Sequence, residues 1–247
     1  MDTLVPTPDG LRALREIAVG SVVFDERGEP CNVTATYEDL PERAWRVVFG
    51  DGLEVLAGGE HQWVTITRGQ RKGYFRRDRP RDQDRGPRPE GYPLDWARWG
   101  DVRDTDEIAS TLLASDGGYQ HTIPVARPLR LGERDLPIDP YLLGVWLGDG
   151  GERDGVITAG FDPDDLMASD AEFLLGRKHV PEGYLSGSAE QRLALLQGLM
   201  DTDGHIGDKR TVEFVSESED LADAVVWLAS SLGHGSARPR GKLACVA

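Results

Sequence analysis

Cysteine is scarce in this chain: Cys31 and Cys245 are the two among 247 residues. Two thiols so far apart exclude a disulfide scaffold and fit a reducing compartment. Long apolar runs are absent as well, since no stretch reaches the roughly 18 residues that a membrane span needs. No signal peptide precedes Asp2, so the expectation is a cytoplasmic protein with no membrane partner. Positive charge is in short supply: 28 Lys and Arg against 43 Asp and Glu leave a net charge of -15. That balance opposes nonspecific affinity for a polyanion, which comes mainly from neutralised phosphates. The hydrophobic content, 39%, suffices for packed cores, and the length holds two modest domains.

The charge is unevenly spread. Arg68, Arg71, Lys72, Arg76, Arg77, Arg79, Arg81, Arg85 and Arg88 are opposed in that stretch only by Asp78, Asp82 and Asp84, with Tyr74 and Phe75 interleaved. Its prolines and glycines mark an exposed loop or linker, and a solvated arginine run and a phosphate-contacting arm are equally open readings. Before it, up to about Thr67, short β-rich runs alternate with turn signals at Asp9-Gly10, Arg27-Gly28 and Asp51-Gly52, which predicts a small all-β unit. Cys31 falls in one such run, with Asn32 to Tyr37. Residues 68–98 read as irregular, 104–113 as a short helix, and from Leu136 onward helices dominate. Ser216 with Glu219 reads as a capping box ahead of a core stripe of Leu221, Val225, Leu228 and Leu232 that ends at Gly233. The expected organisation is a β unit over 1–67, a connecting segment over 68–134 and an α/β domain over 135–247.

Two stretches in that last domain end alike: Leu142-Leu143-Gly144-Val145-Trp146-Leu147-Gly148-Asp149-Gly150 and Leu196-Gln197-Gly198-Leu199-Met200-Asp201-Thr202-Asp203-Gly204. Aligning them puts Gly144 on Gly198 and Asp149 on Asp203. A mid-helix glycine costs about 1 kcal/mol relative to alanine, so two at one register point to helices whose backbones approach closely there. Asp139 and Pro140 supply an N-cap and first-turn proline for one helix, and Ser188 with Gln191 a capping box for the other. Both are expected to stop at a left-handed glycine.

Packed side by side, the two helices bring Asp149 and Asp203 out at one end. A helix C-terminus carries partial negative charge, so two carboxylates there repel each other and call for a cation. Hard oxygen donors with room for water and phosphate suit Mg2+, and metal-held water attacking a phosphodiester is chemistry that such a site supports.

These residues resemble the LAGLIDADG (DOD-type) homing endonucleases, in which each of two repeats contributes one such helix and the last aspartate of each motif binds the catalytic metal. The resemblance implies Asp149 and Asp203 as metal-binding catalytic residues, Mg2+ as cofactor and double-stranded DNA as partner. The second copy keeps both aspartates of the family pattern, Asp201 and Asp203, whereas the first has Leu147 at the earlier position. His121, Ile123-Pro124 and Leu136-Pro137-Ile138-Asp139-Pro140 resemble the lead-in to endonucleases carried within inteins of phage terminases and replicative helicases, in a bacterial or phage-infected cell.

The start of the chain supports the same resemblance. Asp2-Thr3-Leu4-Val5, the Asp9-Gly10 turn and Val19-Gly20-Ser21-Val22-Val23-Phe24 look like the opening of a Hint (intein splicing) domain. Gly59-Glu60-His61-Gln62-Trp63-Val64-Thr65 resembles the block whose histidine activates the scissile amide, which makes His61 a vestigial splicing histidine. Splicing itself is not expected of this chain alone. The family's first-residue Cys or Ser would lie just upstream of Asp2, where Met1 stands, the threonine usual before the block histidine is Gly58, and Ala247 stands without a terminal His-Asn pair.

The family repeat also sets a length. Four strands, two helices and their connections need on the order of 65 residues between motif helices, whereas Gly151 to Leu195 provides 45. Gly155 to Ala159 reads as one strand in that interval, and little chain follows the last helix, so the saddle that lies on DNA is expected to be cut down. The resulting expectation is an α+β protein: a small all-β Hint-like unit followed by a shortened LAGLIDADG domain around two central packed helices. Its implied activity is weakened hydrolysis of DNA phosphodiester bonds. The alternatives are an inactive intein remnant or DNA-binding module, and a fragment of a split or misbounded intein whose missing ends come from flanking host-protein segments or a complementary intein fragment.

Overall fold

A computed structural model of the chain describes residues 3–38, 40–50, 52–77, 100–149, 179–207, 212–236 and 244–246. The strand predicted at 155–159, the first-repeat saddle and Gly150 lie outside the described residues. The architecture is α+β, with small antiparallel sheets and helices. By contact the chain forms two compact units, one of Met1–Tyr37, Phe49–Leu53 and Val125–Ala247, the other of Glu38–Val48 and Glu54–Pro124. Among the described residues no helix is long and apolar enough to cross a membrane.

In the first unit, β1 (Leu4–Thr7) and β2 (Gly10–Ala13) form a hairpin, as do β3 (Val22–Phe24) and β4 (Pro30–Asn32). The expected turn glycines Gly10, Gly28 and Gly52 have φ of +118°, +74° and +91°, values that glycine adopts without steric cost. Cys31 lies within β4, but the strand covers Pro30–Asn32 rather than Asn32 to Tyr37.

In the second unit β5 (Ala44–Val48) pairs with β6 (Glu54–Gly58), and β7 (Gln62–Thr67) is flanked by β8 (Asp101–Asp104) and β9 (His121–Thr122). The expectation of irregular chain from residue 68 is overturned for its first part. Helix α1 (Arg68–Arg77) follows β7 directly, because Thr67 and Gln70 close a reciprocal cap: Gln70 N donates to Thr67 Oγ1 at 3.3 Å and Thr67 N to Gln70 Oε1 at 2.7 Å. Residues 78–98 of that stretch lie outside the described residues. The expected short helix is α2 (Thr105–Ser110), started by an Asp104–Glu107 capping box.

The helical part of the first unit is built from α3 (Pro140–Asp149), α4 (Glu182–Leu185), α5 (Ala189–Asp203) and α6 (Glu219–Ser231), with a sheet of β10 (Gly204–Ile206), β11 (Val212–Val215) and β12 (Ala244–Val246) in that order. Their core holds Leu143, Trp146 and Leu147 of α3, Leu195 and Leu199 of α5, Phe214 of β11 and the expected stripe of α6. Two capping expectations need correction. The N-cap of α6 is Ser218, whose hydroxyl accepts from Leu221 N, while the Ser216 hydroxyl accepts from Ser218 N and forms the preceding turn. Gly204 is extended, with φ -86° and ψ 149°, rather than left-handed. The chain passes from α5 straight into β10 there, and a Cβ at Gly204 would lie 2.9 Å from Met200 Cα.

Arg192 of α5 ties this part together. Its fully buried guanidinium donates to the carbonyls of Gly187, Ser231 and Leu129 and to the Ser231 hydroxyl. Burial pushes its pKa down to about 10. The cation sits at the C-terminus of α6, where the helix dipole favours it.

Candidate functional site

The site grows from the two helices that carry matched glycines. Asp139 caps α3 through hydrogen bonds from Tyr141 N at 2.9 Å and Leu142 N at 3.2 Å, with Pro140 in the first turn. Ser188 caps α5 through the capping box with Gln191. Both helices are anchored at the starts that the sequence marks.

Helices α3 and α5 pack backbone against backbone. A Cβ built on Gly144 would lie 2.8 Å from Leu199 N and 2.9 Å from Gly198 Cα, and one on Gly198 would lie 2.8 Å from Val145 N and 3.0 Å from Gly144 Cα. The closest neighbours are carbonyls, Leu195 O for Gly144 and Tyr141 O for Gly198. Overlaying Gly144 on Gly198 converts one set of contacts into the other, so a local two-fold relates the helices. One turn further on, a Cβ at Gly148 would fall on the Thr202 side chain, 2.7 Å from its Cβ. Gly148 and Thr202 occupy equivalent positions too. Contacts between equivalent residues at successive turns require the helices to run parallel, and their C-terminal ends therefore emerge together.

Asp149 is the last residue of α3 and Asp203 the last of α5. The backbone thus brings the two predicted residues to the same end of the pair. Asp203 is half-buried. Neither helix has a basic residue in its last turn to offset the negative end of its dipole. Among the described residues no group of three or more His, Cys, Asp or Glu could hold a metal. Mg2+ is commonly held by one or two carboxylates, with water and substrate phosphate completing its shell, and a paired aspartate site matches that donor set.

The two flanks of the helix pair differ. On the exposed flank the Tyr141 hydroxyl donates to Asp201 Oδ2 at 3.0 Å, which raises the tyrosine pKa chiefly through that hydrogen bond. The local two-fold places Leu195 and Leu147 at the equivalent positions, and these are 0% and 1% exposed. Leu147, where the earlier aspartate of the motif is missing, faces the core. The sequence alignment of the two copies marks Asp201 but gives no sign of Tyr141, because a cross-helix contact is not encoded in either motif alone.

His61 belongs to the second unit. It occupies the turn between β6 and β7, with its amide donating to Gly58 O at 3.1 Å and its carbonyl accepting from Thr105 N at 3.1 Å. Its exposed ring packs edge-on against Trp63, with centroids 4.6 Å apart and planes at 70°. Another histidine of the same unit is more tightly held. His121 has Nδ1 3.2 Å from Thr65 Oγ1 and Nε2 2.9 Å from Thr111 Oγ1. Burial, then the charges of Arg103 and Arg71, lower its pKa.

Residues 190–241 match the model of the LAGLIDADG-like domain. Over 95% of its length the chain is 36% identical to a protein named replicative DNA helicase DnaB from Mycobacterium intracellulare, of which it spans 42%. A 66-residue stretch, 26% of the chain, is 35% identical to 11% of replicative DNA helicase DnaB from Mycobacterium leprae (strain TN). The chain thus spans less than half of either relative. The domain match covers nearly all of α5 together with β10, β11 and α6, and includes Asp203. Helix α3 lies before it and joins it through the local two-fold, so the chain is similar to the LAGLIDADG-like domain in its second copy and pairs with that copy a helix of the same design.

Proposed function

We propose that the chain is the endonuclease-bearing part of an intein hosted by a replicative helicase, and that it hydrolyses DNA phosphodiester bonds with Mg2+ held by Asp149 and Asp203. The observation that carries the reading is the parallel, two-fold-related packing of α3 and α5, which delivers one aspartate from each helix to a shared end. When bound there, Mg2+ supplies an activated water and neutralises the charge that develops on the phosphate. The protein's part is to fix the two carboxylates and to present the β10–β11–β12 sheet to the duplex. Similarity to 42% of a protein named as a replicative helicase, together with the resemblance of the N-terminal sequence to a Hint opening, supports a segment inserted in a host protein. In this reading His61 is a vestigial splicing histidine, and the chain alone does not splice.

A second reading, an inactive remnant built on the same helix pair, is favoured by charge. On the outward face of the β10–β11 hairpin His205 pairs with Glu213 at 3.1 Å, and the whole chain has a net charge of -15. Incubation with supercoiled DNA containing a helicase-gene target separates the readings. The nuclease reading expects Mg2+-dependent nicking that disappears in Asp149→Asn and Asp203→Asn while binding survives. Strong cleavage by Asp203→Asn overturns the metal assignment, and absence of binding at low salt favours the remnant.

A further inference from the structure

At the Gly144–Gly198 contact backbone meets backbone. Such a contact sets how closely the helix axes approach and leaves their relative rotation to the side chains that flank it, Thr202 against Gly148 among them. Asp149 and Asp203 each lie five residues beyond their glycine, about 7.5 Å along the axis. A rotation of roughly 10° about that contact therefore shifts each aspartate by about 1.3 Å relative to it. Mg2+ demands near-ideal octahedral geometry at about 2.0–2.1 Å, so this motion is large enough to spoil a shared site. The buried flank, Leu147 and Leu195, is apolar and gives no direction to the contact. The exposed flank carries a directional bond between the start of α3 and the end of α5, from Tyr141 to Asp201.

We propose that Tyr141 and Asp201 are positioning residues whose hydrogen bond fixes the rotation of α3 against α5 and so sets the spacing of Asp149 and Asp203. The proposal rests on the reading of those two aspartates as metal-binding groups. Asp201 acts by accepting the hydrogen bond from the tyrosine hydroxyl, not by touching the metal: it lies two residues before Asp203, about 200° around the helix, and so projects from the opposite side of α5.

The test is binding of Mn2+, a hard cation used in place of Mg2+, to the full chain, followed through the loss of its free electron paramagnetic resonance signal. Asp203→Asn should abolish binding. Tyr141→Phe and Asp201→Ala should each weaken it about 3-fold, the loss expected for one hydrogen bond, and the double variant should be no weaker than either alone. Asp201→Asn keeps an acceptor oxygen and should bind as the unaltered chain does. Unchanged binding by Asp203→Asn, or no binding by the unaltered chain, overturns the metal reading itself. Loss in Asp203→Asn with full affinity in Tyr141→Phe overturns only the positioning role, and so does an Asp201→Asn variant as weak as Asp201→Ala, which would make Asp201 a ligand.

Discussion

Gly144 and Gly198 each occupy the one place on their helix where the opposite backbone leaves no room for a side chain. A methyl group on either would press on main-chain carbonyl and amide atoms of the facing helix, and main chain held in a helix cannot yield as a flexible side chain does.

Replacing either glycine by alanine should therefore destabilise the protein, although alanine is the better helix former by about 1 kcal/mol. Overpacking typically costs about 1–3 kcal/mol, and here it outweighs the gain in propensity. Gly69→Ala in α1 is the control, since the nearest atom to its Cβ would be 4.0 Å away. Urea unfolding should show a lower midpoint for Gly144→Ala and Gly198→Ala and none for Gly69→Ala; a neutral Gly198→Ala would mean that the helices are further apart.

Arg192 gives a second stability prediction. Its guanidinium serves three carbonyls and a hydroxyl, and no carboxylate is among those partners. Arg192→Met keeps most of the stem but leaves buried acceptors unsatisfied, at about 1–3 kcal/mol for each group that water does not reach. A loss of roughly 3 kcal/mol is expected in denaturant unfolding. Arg192→Lys should recover little of it, because a single ammonium cannot reproduce the guanidinium fork.

His121 makes the second unit sensitive to acid. Its pKa is lowered in the folded state from the ordinary 6.5, first by burial and then by Arg103 and Arg71. The unfolded chain therefore takes up a proton before the folded one does, so stability is fully present above about pH 6.5 and falls as pH drops from there toward the folded value. Thermal melting of the wild type between pH 7 and pH 5 should show a decline that is reduced in His121→Gln. An equal decline in both proteins would place the acid sensitivity elsewhere.

Much of the helix pair was legible because its signals are local. Caps at Asp139 and Ser188 and the two mid-helix glycines each state their role within one turn of chain, and the Asp-Gly pairs mark where the helices end. The turn glycines at 10, 28 and 52 were readable for the same reason. Features that depend on competition or on distant partners were not. Thr67 and Gln70 start α1 inside a stretch whose charge and composition suggest a loop. Ser218 wins the cap of α6 because Ser216 is engaged in the turn before it. Gly204 is required by the Met200 backbone and side chain and not by a left-handed conformation. Asp201 was visible as a motif residue, but its hydrogen bond to Tyr141 arises only when the two copies pack.

The same two-fold explains why the first copy departs from the motif at Leu147. Position 201 lies on the exposed flank, where a carboxylate keeps water and the Tyr141 hydroxyl as partners, whereas position 147 lies on the flank that faces the core and is 1% exposed. A carboxylate restored there would be stripped of water among apolar neighbours such as Leu143 and Trp146, and it must either ionise at high cost or stay protonated with unsatisfied oxygens. Leu147→Asp is thus expected to destabilise the protein by about 4 kcal/mol, near the top of the range for single changes. The mirror change, Asp201→Leu, removes an exposed hydrogen bond and should cost about 1 kcal/mol or less. Equal losses in the two variants, measured by urea unfolding at neutral pH, would show that both flanks are equally buried and that the asymmetry of the motif copies has another origin.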